Sequence, residues 1–177
     1  SKPKVGSLFS GIGGIDLGFK QAGFEIAWAN DMDASACKTY RHNFPNTQLI
    51  EEDVRDIDPY TLSDIDVLVA GFPCQPFSTA GKRLGFSDTR GTLFHEIARV
   101  VKAKRPAFFV LENVPGLLSH DEGKTYNVIL ETLSELGYSF EWMVKSNNTL
   151  PIEACFPLLF LTERAFSDES TFIDIFF

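Results

Sequence analysis

The chain has 177 residues, a length that argues for one domain, and its 44% apolar and 13% aromatic content suffices for a sizeable buried core. Charged residues at 23% argue against a disordered chain. The net charge of −8 opposes long-range attraction to nucleic acid while leaving room for a locally basic groove.

Taken in chain order, the first 145 residues alternate strand and helix patterns. Residues 5–9 form a short apolar strand that runs into Ser10-Gly11-Ile12-Gly13-Gly14, after which Ile15, Leu17, Phe19 and Ala22 recur at helical spacing. Residues 25–30 are a second strand, followed by a helix opened near Asp33 and carrying Ala36, Tyr40 and Phe44 on its apolar face. Residues 47–50 are a weaker strand. Residues 66–70 are a strong buried one, stopped by Gly71 and Pro73. A helix over residues 93–104 buries Leu93, Ile97, Val100 and Val101, and residues 107–111 are the next strand. A helix over 125–136 with Val128, Ile129, Leu133 and Leu136 leads to a strand over 139–144. Apolar strands alternating with amphipathic helices predict an α/β fold, a mostly parallel sheet covered by helices on both faces.

From residue 146 the character changes. The last 32 residues hold six of the 17 Phe, five acids (Glu153, Glu163, Asp168, Glu169, Asp174) against Arg164, and no Gly. This stretch reads as extra strands, a capping helix, or sequence foreign to the domain. The expected division is therefore 1–145 and an atypical Phe-rich acidic tail, 146–177. The apolar run at 154–161 contains Pro157 and is too short to cross a bilayer, and Gly6, Ser10, Gly11, Gly13, Gly14 and Asp16 break any signal-peptide core after Lys2 and Lys4. A soluble, non-secreted chain is expected.

In a sheet of this class ligands bind at the carboxyl ends of the strands, which directs attention to the residues just after each one. The glycine cluster at 10–14 allows a tight turn and close ligand approach, and Asp31, 20 residues after Gly11, stands where an acid commonly meets ribose hydroxyls. The same residues also suit a plain turn with a surface Asp. Asp16 stands where a dinucleotide motif needs its last glycine, which favours a nucleoside ligand without pyrophosphate.

The three cysteines, Cys37, Cys74 and Cys155, are too few and odd in number for a disulfide scaffold, and His42, His95 and His120 are too scattered for a zinc site. Free thiols in a reducing compartment are expected. Cys74 lies in Gly71-Phe72-Pro73-Cys74-Gln75-Pro76-Phe77-Ser78, where flanking prolines stiffen the loop and point to a nucleophile; Cys37 and Cys155 read as packing residues. Glu112, in Glu112-Asn113-Val114, ends an apolar strand, where a carboxyl is costly unless paired or used; the alternative is a cap or loop anchor.

Phe9-Ser10-Gly11-Ile12-Gly13-Gly14, then the Pro73-Cys74 segment, then Glu112-Asn113-Val114, in this order, resemble the DNA (cytosine-5) methyltransferases. The likeness runs from about Val5 to Val144 and includes Gly91-Thr92-Leu93-Phe94 and Ser119-His120-Asp121. It implies a Rossmann-like S-adenosylmethionine-dependent fold, here C-terminally truncated, and methyl transfer from S-adenosylmethionine to carbon 5 of a cytosine flipped from DNA. By resemblance Cys74 is the nucleophile and Glu112 its acid partner. Phe9 stacks on adenine, and Gly11, Gly13 and Gly14 line the amino-acid end of the cofactor. Asp31 binds ribose, Asp53 and Val54 meet the adenine, and Pro73 and Val114 shape the pocket. Met32 replaces a bulky aromatic, which implies weaker cofactor binding. The loop at 78–90 would meet DNA through Ser78, Lys82, Arg83 and Arg90, with Asn113 and Val114 also on the substrate side. No metal is implied, and the compartment would be bacterial cytoplasm at the nucleoid, or a eukaryotic nucleus.

The family's Gln-x-Arg-x-Arg segment, its target-recognition region and its late cofactor-packing motifs find no counterpart, since the only Gln residues are Gln21, Gln48 and Gln75. Three readings follow: a catalytic half that works with a second polypeptide supplying DNA recognition, a catalytically silent cofactor-binding remnant, or a relative that methylates a tRNA cytosine.

Overall fold

The computed structural model describes residues 2–72, 93–113, 117, 119–146 and 155–162, with the backbone alone at 139–146 and 155–162. Seven strands form one sheet: β1 (Lys4–Leu8), β2 (Glu25–Asp31), β3 (Gln48–Glu51), β4 (Val67–Gly71), β5 (Phe108–Glu112), β6 (Ser139–Ser146) and β7 (Cys155–Thr162). Their spatial order is β3-β2-β1-β4-β5-β7-β6. The first five pair in parallel, and β7 runs antiparallel to both β5 and β6. Four helices accompany them: α1 (Gly14–Gln21), α2 (Ala34–Asn43), α3 (Leu93–Lys104) and α4 (Lys124–Glu135).

Parallel strands need crossovers, and the helices supply them on both faces. Side-chain alternation along β4 sorts the two cores. Leu68 and Ala70 join the larger cluster with Ile97, Val100 and Val101 of α3 and Ile129 and Leu133 of α4. Val67 and Val69 join Val5, Val110 and Phe19 of α1 on the other face. α2 adds Tyr40 and Phe44 against Ala29. The predicted α/β architecture with both faces covered is what forms.

The tail stretch begins in the sheet: β7 lies between β5 and β6, so the 155–162 part is an extra strand. Pro157 pairs opposite Val144 and lies one residue beyond Leu158, the last partner of β5, so its missing N–H costs no bond on the β5 side. Residues 163–177 lie outside the described residues.

One expectation fails locally. α1 buries Asp16 and Phe19, while Ile15 and Leu17 are 37% and 48% exposed. The reason is polar. Asp16 is 1% exposed and accepts hydrogen bonds from Ser7 Oγ at 2.7 Å and Tyr40 Oη at 2.5 Å, which turns this face of the helix toward β1 and α2. Burial pushes the Asp16 carboxyl above its ordinary range, and the two hydroxyl donors oppose that shift. The triad links β1, α1 and α2 at the end of the sheet where the glycine cluster turns. Tyr40→Phe leaves one buried carboxyl oxygen without its donor and is expected to lower unfolding stability by about 1–3 kcal/mol. Urea unfolding followed by fluorescence checks this.

Candidate active site

The strand order places the crevice. The chain moves from β1 outward to β2 and β3, then returns to put β4 on the other side of β1, so the carboxyl ends of β1 and β4 flank a switch point.

After β1, Phe9 adopts φ +54°, a left-handed conformation costing a non-glycine residue about 1–2 kcal/mol. The loop that imposes it is held by Ser10 N–H donating to Asn30 O (3.0 Å) and Gly13 N–H to Ser10 O (2.9 Å). Gly11 N–H donates to Asp31 Oδ2 (2.8 Å), and Asp33 N–H to Asp31 Oδ1 (2.8 Å). Asp31 thus organises the turn and keeps further lone pairs for a ligand. Gly13 requires glycine twice over: its φ is +93°, and a Cβ there would lie 2.3 Å from Phe44 Cε2. Among the described residues, a Cβ on Gly11 or Gly14 would meet nothing within 4 Å. Met32 is 67% exposed beside Asp31.

After β3, Asp53 opens the short 3₁₀ turn Val54–Asp56. Arg55 grips it, with N–H and Nε donating to Oδ1 and Nη2 to Oδ2 at 2.5 Å, and holds the Asp53 carboxyl down to about 2. Val54 packs its side chain into the main core.

After β4 and β5 the two strongest motifs meet. Gly71 pairs with Glu112 in register, and a Cβ on Gly71 would stand 3.1 Å from Glu112 Oε2. Asn113, 3% exposed, donates Nδ2–H to Phe72 O at 2.7 Å and fastens the loop after β4 to the end of β5. Glu112 is half-buried, and desolvation raises its carboxyl above the ordinary range, so it keeps a proton at a pH where an exposed Glu has lost it. Cys74, Pro73, Ser78, Lys82, Arg83, Arg90 and Val114 lie outside the described residues.

Among the described residues, the structure gathers Phe9, Gly11, Gly13, Gly14, Asp31, Met32, Asp53, Val54, Glu112 and Asn113 on the loops at the carboxyl ends of the five parallel strands. Three other residues, to which the sequence reading gave no role, support the site. Ser10 Oγ is buried with no hydrogen-bond partner, an orphan at the mouth of the glycine turn. Asn30, 1% exposed, donates Nδ2–H to Ile50 O and Glu52 O at 2.9 and 2.8 Å; an amide inside an apolar strand was the available signal. Arg99 of α3 reaches Val54 O and Ile57 O, and nothing in its local sequence announces that.

The sequence profile of the C-5 cytosine-specific DNA methylases matches residues 3–149. The chain belongs to that family. Type II methyltransferase M.NgoBI of Neisseria gonorrhoeae is 50% identical over 141 residues, covering 80% of this chain and 44% of that protein. M.Bsp6I of Bacillus sp. (strain RFL6) is 49% identical over 143 residues, 80% of this chain and 45% of its own length. The chain therefore spans less than half the length of these curated relatives. A mutant of DNMT2 from Spodoptera frugiperda superposes with a TM-score of 0.77 at 25% identity, over 94% of this chain and 51% of that one. The fold is that of the S-adenosylmethionine-dependent methyltransferases. Among the described residues no helix is long and apolar enough to cross a membrane.

The raised Glu112 carboxyl makes stability depend on pH. Burial favours its neutral form, so its contribution to folding is present below the unfolded-state value and is lost as pH rises through the folded one. Carbon-13 NMR of the carboxyl groups is expected to show Glu112 titrating above the exposed glutamates. Gly71→Ala, crowding Oε2, is expected to displace that resonance.

Proposed function

We propose that this chain carries the cofactor site and the reacting groups of an enzyme that methylates carbon 5 of cytosine in DNA through a covalent cysteine adduct. The observation behind this reading is the junction of β4 and β5. Gly71 lies opposite Glu112, and Asn113 holds Phe72, two residues before Cys74. The sequence that carries the Cys74 thiol thus begins just after Phe72, which is held at the end of β5 beside a carboxyl that favours its protonated form.

The residues present fit S-adenosylmethionine. Among the described residues Ser10 Oγ has no hydrogen-bond partner and nothing fills the space beside Gly11 and Gly14, while Asp31 and Asp53 stand at the ends of adjacent strands. When bound, that molecule supplies the methyl group. Phe9 would pack against the adenine, Asp31 would accept from the ribose hydroxyls, and Asp53 and Val54 would meet the adenine, Asp53 at its amine. Gly13 keeps the loop low enough for the amino-acid end, and Met32 flanks the base.

On the substrate side, Cys74 loses its thiol proton to water and the thiolate adds to carbon 6 of a cytosine flipped out of the duplex. Glu112 holds the exocyclic amine and gives its proton to the ring nitrogen, so the electron pair of the C5–C6 double bond becomes available at carbon 5. After carbon 5 is methylated, its proton passes to water, the C5–C6 double bond re-forms as the Cys74 thiolate leaves, and the ring nitrogen returns its proton to Glu112. Pro73 and Val114 shape the pocket, and Ser78, Lys82, Arg83 and Arg90 contact DNA. Asn113 acts through the Phe72 carbonyl it holds.

Calorimetric titration of this chain with S-adenosylhomocysteine tests the cofactor half. Binding is expected, and Asp31→Ala is expected to weaken it by about 1.5–3 kcal/mol for each bond lost to the charged carboxylate. No heat at millimolar ligand would remove the proposal. With residues 1–145 joined to the remaining half of a relative, Cys74→Ala is expected to abolish methylation and Glu112→Gln to slow it roughly 10²–10⁴-fold. A tenth of the activity surviving in Cys74→Ala would refute the adduct.

A further inference from the structure

The turn carrying Asp53 is fixed from both flanks by side chains of other elements. On one side Asn30 of β2 donates to the Ile50 and Glu52 carbonyls. On the other, Arg99 of α3 donates Nη1–H to Ile57 O at 2.7 Å and Nη2–H to Val54 O at 2.8 Å, with its Nε–H directed to Glu96 at 2.7 Å. The turn itself is short. Its own backbone bonds are Asp56 N–H to Asp53 O at 2.9 Å and a long Ile57 N–H to Val54 O at 3.4 Å. Arg55 cannot fix the turn relative to the rest of the site, because it belongs to the turn and moves with it. Arg99 can, because α3 is anchored by Phe94, Ile97, Val100 and Val101 in the main core. A guanidinium is planar and rigid, so two carbonyls held on one fork are held at a set spacing and direction.

We infer that Arg99 is a positioning residue for base selectivity: by clamping the Val54 and Ile57 carbonyls it sets the direction of the Asp53 carboxylate, and so the preference for a purine with a 6-amino group. This rests on the cofactor reading above. A carboxylate accepts from an amine at that position and is repelled by an oxo group, so a correctly aimed Asp53 separates adenine from hypoxanthine. A turn released from α3 still leaves Asp53 charged but no longer aimed.

The test is the ratio of affinities for S-adenosylhomocysteine and S-inosylhomocysteine, measured by calorimetry on the whole chain. The unaltered chain is expected to prefer the adenosyl ligand by about tenfold or more, the equivalent of one good hydrogen bond. Arg99→Ala is expected to bring the ratio to within about threefold, and Arg99→Lys, which can serve one carbonyl only, to an intermediate value. Asp53→Asn is expected to remove the preference, with no further loss in the Asp53→Asn, Arg99→Lys double variant. A purely structural role for Arg99 would lower melting temperature and weaken both ligands equally, leaving the ratio intact. That result overturns the inference while the cofactor reading stands. If Arg99→Ala does not fold, Arg99→Lys decides. An unaltered chain that binds neither ligand, or both equally, overturns the reading of the site and this inference with it.

Discussion

Five parallel strands must all end on the same edge, and that constraint governs everything else in this molecule. Each strand delivers one loop there, and the switch between β1 and β4 leaves a crevice that no single segment could build. The loops are then cross-tied rather than merely adjacent. Gly11 is fastened to Asp31, Ser10 to Asn30, Asn30 to Ile50 and Glu52, and Asn113 to Phe72. Polar atoms that the sheet edge would otherwise leave unpaired find partners in a neighbouring loop, so the edge is both satisfied and pre-shaped.

Carboxyl groups at this edge are kept in different states by local physics. Asp53 is gripped by an exposed arginine and held far below its ordinary range. Asp16 and Glu112 are pushed the other way by burial, Asp16 against two hydroxyl donors and Glu112 by desolvation alone. On a chain of net charge −8, these three acids thus sit in separate local environments.

Much of this was legible in the sequence because it is one-dimensional information. Helical spacing and short apolar runs located the four helices and six of the seven strands seen among the described residues, and glycine and proline placement marked where strands end. β7 was legible only as an apolar run, since a strand flanked on both sides and a foreign tail share that composition. The apolar spacing of α1 misled, because a buried Asp16 with two hydroxyl donors outcompeted Ile15 and Leu17 for the sheet-facing side.

By itself the sequence determined the fold class, the family and the motif residues, because each is written in local spacing or in short runs such as Glu112-Asn113-Val114. The tertiary structure decided what depends on distance between remote segments. It set Gly71 against Glu112, separated by 41 positions, and raised a carboxyl by walling it from water. It also left Ser10 Oγ unpartnered and brought Arg99 to carbonyls more than 40 residues away. Hydrogen bonds and desolvation act over a few ångströms of space, and chain order does not encode which remote atoms will lie within that reach.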